Sequence, residues 1–140
     1  MKRLLLILVI AFTTAQLSAH ERGKFDPNKF EAELEQFIVT EAALTPYEAS
    51  VFFPIYKEMQ GKRRVLFNKI RRFRHVDTRD NKACLEAIKS RDEADLQIKK
   101  LQQQYHAKFC EILPAGKVLR IIRAEERFHR QAFRRVAKRR

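Results

Sequence analysis

The chain has 140 residues and a formal net charge of +13 at pH 7, with 30 Lys and Arg residues against 17 Asp and Glu residues. Three Gly and four Pro residues provide too few turns for a β-sandwich, so the composition favours one helical domain with a modest core. The sequence contains no glycine-rich phosphate-binding loop and no Ser/His/Asp spacing of a catalytic triad. We therefore expect no enzyme activity, assign no catalytic residue and expect no cofactor.

Residues 1–19 have the order of a secretory signal peptide. Lys2 and Arg3 precede an apolar run from Leu4 to Phe12, and small residues follow as far as Ala19. The apolar run has nine residues, whereas a membrane-spanning helix needs roughly 20. We expect cleavage near Ala19 and export to the periplasm, where residues 20–140 form a single helical domain.

The positive charge is concentrated in two segments. The first basic block, Lys62–Arg74, has seven basic residues and no acidic residue, and the second basic block, Lys117–Arg140, has ten basic residues against two acidic ones. Long cationic side chains often do no more than solvate a helix face. The alternative is a surface that attracts acidic partners. Export to the periplasm argues against nucleic acid as that partner.

Local signals predict the first two helices. Asp26-Pro27 indicates the start of a first helix that ends before Leu44. In Leu44-Thr45-Pro46-Tyr47-Glu48, Thr45 is the expected N-cap and Glu48 is placed to complete a capping box. The second helix should carry its apolar face as far as Phe73 and bend at Pro54, which cannot donate a hydrogen bond to the preceding turn.

Two further helices follow. Asp77-Thr78-Arg79-Asp80 predicts a turn and cap before a third helix from about Asn81 to Leu113, with apolar positions that include Leu85, Ile88 and Leu96. Pro114-Ala115-Gly116 interrupts the chain, and a fourth helix is expected from about Lys117, with arginine on most of its polar face. The predicted fold class is all-α with four helices.

The segment from Leu44 to Glu48 resembles the Leu-Thr-x-x-Gln turn of the Spy/CpxP family of small periplasmic helical proteins. The run Phe52-Phe53-Pro54-Ile55-Tyr56 resembles the segment that follows this turn in the family's Bacteroidetes-type members. Glu48 stands in place of the glutamine, and a second copy, Leu113-Pro114-Ala115-Gly116-Lys117, keeps only the leucine. The resemblance implies long curved helices in a thin helical-hairpin arrangement and a cradle-like homodimer. Members of the family are ATP-independent chaperones, repressors of envelope-stress sensors or zinc-binding periplasmic proteins.

The two basic blocks interleave cations with apolar side chains, which suits a surface that attracts unfolded chains without fixing them in one pose. The residues predicted to contact a client or partner are Arg63, Arg64, Phe67, Arg71, Arg74, Arg120, Arg123, Arg127, Arg134 and Arg135. For any single aromatic residue in these blocks, a place in the core is the stronger interpretation. The same surface could instead dock on one folded partner, a stress sensor or an anti-sigma protein. Sequence alone does not separate these two functions.

Metal binding is a third hypothesis. His106 and Cys110 are four residues apart on one predicted helix, so both side chains project from the same face. Two ligands are too few for a tight site, and a metal would need a residue from a partner chain or another position such as His129 or Cys84. The simpler interpretation is a buried thiol beside an amphipathic histidine.

Cys84 and Cys110 also bear on the redox state of an exported chain. On a continuous helix their separation of 26 positions corresponds to about 39 Å, far beyond the roughly 7 Å limit for a disulfide. Free thiols or a bond between subunits remain. A membrane-surface role for the arginine-rich fourth helix is a weaker alternative than protein binding.

Overall fold

A computed structural model describes residues 25–138, so the predicted signal peptide lies outside the described residues. The described chain divides into two units, with the boundary between residues 32 and 33. Within residues 25–138 the secondary structure is entirely helical, which confirms the all-α fold class and the four predicted helices. These are α1 (Pro27–Ala42), α2 (Pro46–Arg71), α3 (Asn81–Ile112) and α4 (Ala115–Ala137), and a short 3₁₀-helix, Arg72–His75, follows α2.

The predicted limits of α1 are confirmed. In the first unit, the carboxylate of Asp26 accepts the backbone N–H groups of Asn28 at 3.0 Å and Lys29 at 3.3 Å. In the second unit, α1 ends at Ala42, and Ala43 takes a left-handed conformation with φ of 50°. The backbone N–H of Leu44 then donates to the carbonyl of Val39 at 3.1 Å. A left-handed residue followed by such a hydrogen bond is typical of a helix C-terminus.

The capping box at the start of α2 is also confirmed. The hydroxyl of Thr45 accepts the N–H of Glu48 at 3.1 Å, and the Glu48 carboxylate accepts the N–H of Thr45 at 2.8 Å. The helix then continues through Pro54 and Gly61 as far as Arg71.

Asp80 caps α3 by accepting the N–H of Ala83 at 3.0 Å, and α3 runs without interruption for 32 residues. Helix α4 begins at Ala115, two residues before the predicted start. The reason is that the carbonyl of Pro114 accepts the N–H groups of Lys117 and Val118 at 2.9 and 3.1 Å. Ala115 and Gly116 therefore form the first turn of the helix instead of a linker.

The core of the second unit is aromatic where α2 and α3 pack together. The rings of Phe52 and Phe109 meet edge to face with centroids 4.8 Å apart, and Phe128 of α4 lies 5.5 Å from Phe37 of α1. Buried apolar residues stop at Met59 along α2, begin at Ala94 along α3 and stop at Phe128 along α4. Parts of three helices therefore extend beyond the well-buried core. The buried residues are Leu34, Ile38, Ala42, Leu44, Phe52, Tyr56, Met59, Ala94, Ile98, Tyr105, Phe109, Leu113, Val118, Ile121, Ala124 and Phe128.

Candidate binding surface

The first basic block lies on α2 beyond the well-buried core and on the 3₁₀-helix. Arg64, Arg71 and Arg74 are exposed, and they form no ion pair with other residues in the range 25–138. Phe67 is 42% exposed and Val65 is 59% exposed. Cationic and apolar side chains are therefore both accessible along this part of the chain.

Arg63 differs from the other arginines of the first basic block. Its side chain is only 15% exposed, and its Nη1 donates to Glu125 Oε1 of α4 at 2.7 Å and to Gln60 at 3.3 Å. The guanidinium carbon lies 5.8 Å from the centre of the Phe67 ring. The structure thus places Arg63 in a link between α2 and α4 and not on the exposed surface.

Three ionisable groups near Arg63 have shifted pKa values. Burial raises the pKa of Glu125, but His129 and Arg63 outweigh burial and lower that pKa to about 2. Burial, followed by the nearby Glu125 carboxylate, raises the pKa of the Tyr56 hydroxyl. Burial also lowers the pKa of His106. The shift of Glu125 belongs to an internal ion pair, because both Arg63 and Glu125 are largely removed from solvent, whereas burial is the largest cause of the shifts of Tyr56 and His106.

Lys62 is also engaged within the fold. Its ammonium donates to Glu58 and to the Tyr105 hydroxyl, both at 2.8 Å, and that hydroxyl donates to Glu58 at 2.6 Å. Hydrogen bonds from Lys62 and Tyr105 lower the pKa of Glu58. Lys62 therefore contributes less free charge to the surface than the sequence suggests.

The second basic block forms a cationic stripe on α4. Arg120, Arg123, Arg127, Arg130 and Arg134 follow one another at spacings of three and four residues, so they share one helix face. Arg127 pairs with Glu41 of α1 at 2.6 Å, and Arg130 lies 3.9 Å from Glu126.

Four arginines of the second basic block are unpaired within the described chain. Arg120, Arg123, Arg134 and Arg135 are exposed and make no ion pair with any residue between 25 and 138. Leu119, Phe133 and Val136 are exposed on the same helix by 47, 77 and 59%. The block therefore combines free cations with accessible apolar side chains.

Three apolar residues of α3 are also exposed, although their helical spacing alone gave no sign that they face solvent. Leu85, Ile88 and Leu96 are 52, 57 and 64% exposed. Leu96 also lines a groove of about 720 Å³ between α2 and α3, whose wall consists of Arg63, Phe67, Asp92, Asp95, Leu96, Ile98, Lys99 and Gln102. The charged residues that flank Leu85 and Ile88 in the sequence could have indicated that these side chains are exposed.

The two motif copies meet at their fifth positions. Leu44 and Leu113 are both buried, and the Lys117 ammonium pairs with the Glu48 carboxylate. The same ammonium donates to the carbonyl of Ala43 at 3.0 Å. The hydrogen bond from Lys117, with that from Thr45, lowers the pKa of Glu48. Leu44, Glu48, Leu113 and Lys117 therefore position helix ends.

From the described part of the chain, the structure brings no third metal ligand to His106 and Cys110. His106 is half-buried beside the Phe109 ring, and Cys110 is exposed. Between residues 25 and 138, no group of three His, Cys, Asp or Glu side chains is placed to hold a metal ion. Cys84 lies near the other end of the continuous α3, where its thiol approaches the carbonyl of Asp77 at 3.5 Å.

Comparisons with protein-family models, curated proteins and solved structures find no match to this chain. None of the helices in residues 25–138 combines the length and apolarity needed to cross a membrane.

Proposed function

We propose that this chain is an exported, nucleotide-independent binding protein that captures unfolded segments of other proteins in the periplasm during envelope stress. One observation supports this function above others: large apolar side chains are exposed beside unpaired arginines on two helices. Phe67 lies among Arg64, Arg71 and Arg74, and Phe133 lies beside Arg134 and Arg135. The resemblance to the Spy/CpxP family motif agrees with this proposal and adds the expectation of a homodimer.

The physical basis is that arginines and apolar side chains contribute to binding in different ways. Arginines on flexible stems raise the rate of encounter with acidic or partly acidic chains. Exposed apolar groups then bury apolar surface of the client, which contributes about 25 cal/mol of binding free energy per Å². This contribution does not require one binding geometry. Such a surface needs no nucleotide, because charge attraction and burial of the client's exposed apolar area are both spontaneous.

The test measures how well the protein prevents aggregation of an unrelated acidic protein that has been chemically denatured. Light scattering monitors the aggregation, and no nucleotide is added. The test variant carries Arg64→Ser, Arg71→Ser and Arg74→Ser, since these three arginines are exposed and outside the core. We expect slower capture by the variant and weaker protection as salt screens the charges over a Debye length of about 8 Å.

The matched control carries Lys82→Ser, Lys89→Ser and Lys100→Ser, which removes the same charge from exposed positions of α3. We expect this control to retain most of the protection, with circular dichroism showing that both variants are folded. Absence of protection by the unmodified protein at several-fold excess would contradict the proposal and favour docking on one folded sensor or anti-sigma protein. Protection that requires added zinc would favour the hypothesis of a site at His106 and Cys110.

A further inference from the structure

Residues 62–75 continue the core-facing side of α2 but are buried less deeply than the residues before them. We call this segment the α2 flap. In the core, Phe52, Tyr56 and Met59 are at most 2% exposed. At spacings of three and four residues, the same helix face continues into the flap with half-buried side chains. These are Arg63, Leu66, Ile70 and Phe73. Burial therefore decreases where the flap begins.

The part of α3 that faces the α2 flap explains this decrease. The two helices run antiparallel, since Phe52 contacts Phe109 whereas Phe67 shares a groove with Asp95. The flap therefore lies beside the first half of α3. The half-buried residues of α3 before Ala94 all have small side chains. They are Ala83, Cys84, Ala87 and Ser90. Because small side chains remove little apolar surface from water, the flap is held to α3 less strongly than the core.

The α2 flap is also a poor helix by itself. It has seven Lys and Arg residues and no acidic residue. Lys69 and Arg72 are three residues apart, as are Arg71 and Arg74, and like charges at this spacing destabilise a helix. Its last turn, Arg72–His75, is a 3₁₀-helix, which has poorer hydrogen-bond geometry. A helix this short is marginal in water without packing. The flap should therefore lose its backbone hydrogen bonds when it leaves α3.

Gly61 lies immediately before the α2 flap. A Cβ at this position would meet no atom beyond its own stretch of helix within 4 Å, so packing does not require a glycine here. Within a helix, glycine is less favourable than alanine. Glycine is, however, the preferred residue just after a helix C-terminus, because it adopts the left-handed conformation readily. Gly61 therefore suits a second state in which α2 ends at Gln60.

Two polar contacts hold the start of the α2 flap in place. Arg63 Nη1 donates to Glu125 of α4 at 2.7 Å, and Lys62 donates to the Tyr105 hydroxyl of α3 at 2.8 Å. From Arg64 to His75, no side chain forms a hydrogen bond or an ion pair with the described residues of α3 or α4. The Nε of Arg63 is buried and has no hydrogen-bond partner in the described chain. An unpaired buried donor is unfavourable, so this anchor is incompletely satisfied.

We propose that the α2 flap opens from α3 at Gly61 when the ion pair between Arg63 and Glu125 breaks, and that this opening controls how much apolar surface a client meets. In the open state, the half-buried apolar residues of the flap join Phe67 as client contacts. They are Leu66, Ile70 and Phe73. Arg63 then becomes accessible to a carboxylate of the client. The control of capture rests on the proposed function, whereas the opening itself does not.

Hydrogen exchange of backbone amides tests the opening in the absence of any client. Amides of residues 65–71 should exchange at least about tenfold faster than those of residues 49–59 of the same helix, because local opening requires less free energy than global unfolding. Gly61→Ala should slow exchange in residues 65–71 roughly fivefold, in line with the higher helix propensity of alanine. The matched control is Gly116→Ala, since a Cβ at Gly116 likewise meets nothing within 4 Å. This control should leave exchange in the flap unchanged.

Glu125→Gln tests the anchor. It should speed exchange in residues 65–71 at least about tenfold, and by a larger factor than in residues 49–59, because Arg63 loses its charged partner. The matched control is Glu126→Gln, which changes a neighbouring carboxylate that is 61% exposed. This control should leave exchange in both segments unchanged. Equal acceleration of the two segments by Glu125→Gln would mean that the ion pair stabilises the whole fold and does not anchor the flap.

The aggregation assay then tests whether opening controls capture. Gly61→Ala should slow client capture several-fold and Glu125→Gln should speed it, because the first variant closes the flap and the second opens it. The controls Gly116→Ala and Glu126→Gln should capture clients at the rate of the unmodified protein. Circular dichroism establishes that every variant is folded before rates are compared.

The two assays separate the opening of the flap from the proposed function. Equal exchange in residues 65–71 and 49–59 would overturn the opening. Exchange in the flap that Gly61→Ala leaves unchanged would overturn it as well, because fraying from the far end of α2 does not depend on Gly61. Altered exchange with unaltered capture would overturn the control of capture. Fast exchange in the flap without any protection of a client would support the opening and contradict the proposed function.

Discussion

Lys117 and Glu48 occupy the fifth position of two copies of one motif, and their side chains form an ion pair between the starts of α4 and α2. Glu48 has a second role, because its carboxylate also accepts the N–H of Thr45 at 2.8 Å. Lys117 likewise donates to the carbonyl of Ala43 at 3.0 Å, next to the end of α1. One pair of residues therefore connects three helix ends.

Because Glu48 has two roles, we predict that exchanging the charges of Glu48 and Lys117 lowers the stability of the protein. Thr45→Ala should lower the free energy of unfolding by about 1 kcal/mol, as expected for a lost N-cap. Glu48→Lys combined with Lys117→Glu keeps opposite charges, but lysine cannot accept the N–H of Thr45. The double variant should therefore melt below the unmodified protein in thermal circular dichroism. A melting temperature equal to that of the unmodified protein would mean that the capping hydrogen bond contributes nothing.

Breaking the ion pair between Arg63 and Glu125 should lower the free energy of unfolding by more than the loss of the Thr45 cap does. Glu125→Ala leaves a guanidinium that is 15% exposed without its main partner, and we expect a loss of about 3 kcal/mol in urea unfolding. The matched control is Glu126→Ala, which removes a neighbouring carboxylate that is 61% exposed and 3.9 Å from Arg130. That control should cost less than about 0.5 kcal/mol.

A double variant tests whether the loss comes from an uncompensated charge. Arg63→Met with Glu125→Leu removes both charges and should be more stable than Glu125→Ala, because no buried ion is left unpaired. If the double variant were less stable than the single one, lost packing would explain the effect instead.

The pKa of Glu125 gives a pH dependence of defined sign. Its ordinary value is 4.5, and the folded protein lowers it to about 2. The stabilising effect is therefore complete above pH 4.5 and is lost as the pH falls from there towards 2. Urea midpoints measured from pH 6 to about pH 2.5 should fall more steeply for the unmodified protein than for Glu125→Gln. Parallel curves would show that Glu125 titrates normally in the folded state.

The helix boundaries could be predicted from sequence because caps are local interactions. Thr45 and Glu48 are three residues apart, and Asp80 and Ala83 have the same separation. The start of α4 was placed two residues late, because Pro114 occupies the N-cap position and no side chain caps this helix end, so the sequence carries no capping signal.

The role of Arg63 could not be predicted in the same way. Its partner Glu125 is 62 residues away, and nothing in the first basic block distinguishes Arg63 from its neighbour Arg64. Helical spacing likewise placed Leu85, Ile88 and Leu96 among the apolar positions of α3, yet all three are exposed. Spacing identifies residues that share a face, whereas burial depends on whether another helix covers that face.

The continuity of α3 predicts the chemistry of the two cysteines. Both are free, Cys110 is exposed, and Cys84 is half-buried with its thiol 3.5 Å from the carbonyl of Asp77. Cys110 should therefore react several-fold faster with a thiol reagent, since the reagent has better access to the more exposed thiol. The variants Cys84→Ser and Cys110→Ser assign the two kinetic phases.

Under oxidising conditions the same geometry limits which disulfides can form. A helix that is uninterrupted from Asn81 to Ile112 keeps the two thiols far beyond the roughly 7 Å separation that a disulfide tolerates. Any disulfide should therefore link two copies of the chain. Cys110→Ser should reduce such dimers more than Cys84→Ser, because Cys110 is the more exposed thiol. Mass spectrometry of a monomer with a bond between Cys84 and Cys110 would contradict the continuity of α3, since only a broken helix could bring these thiols together.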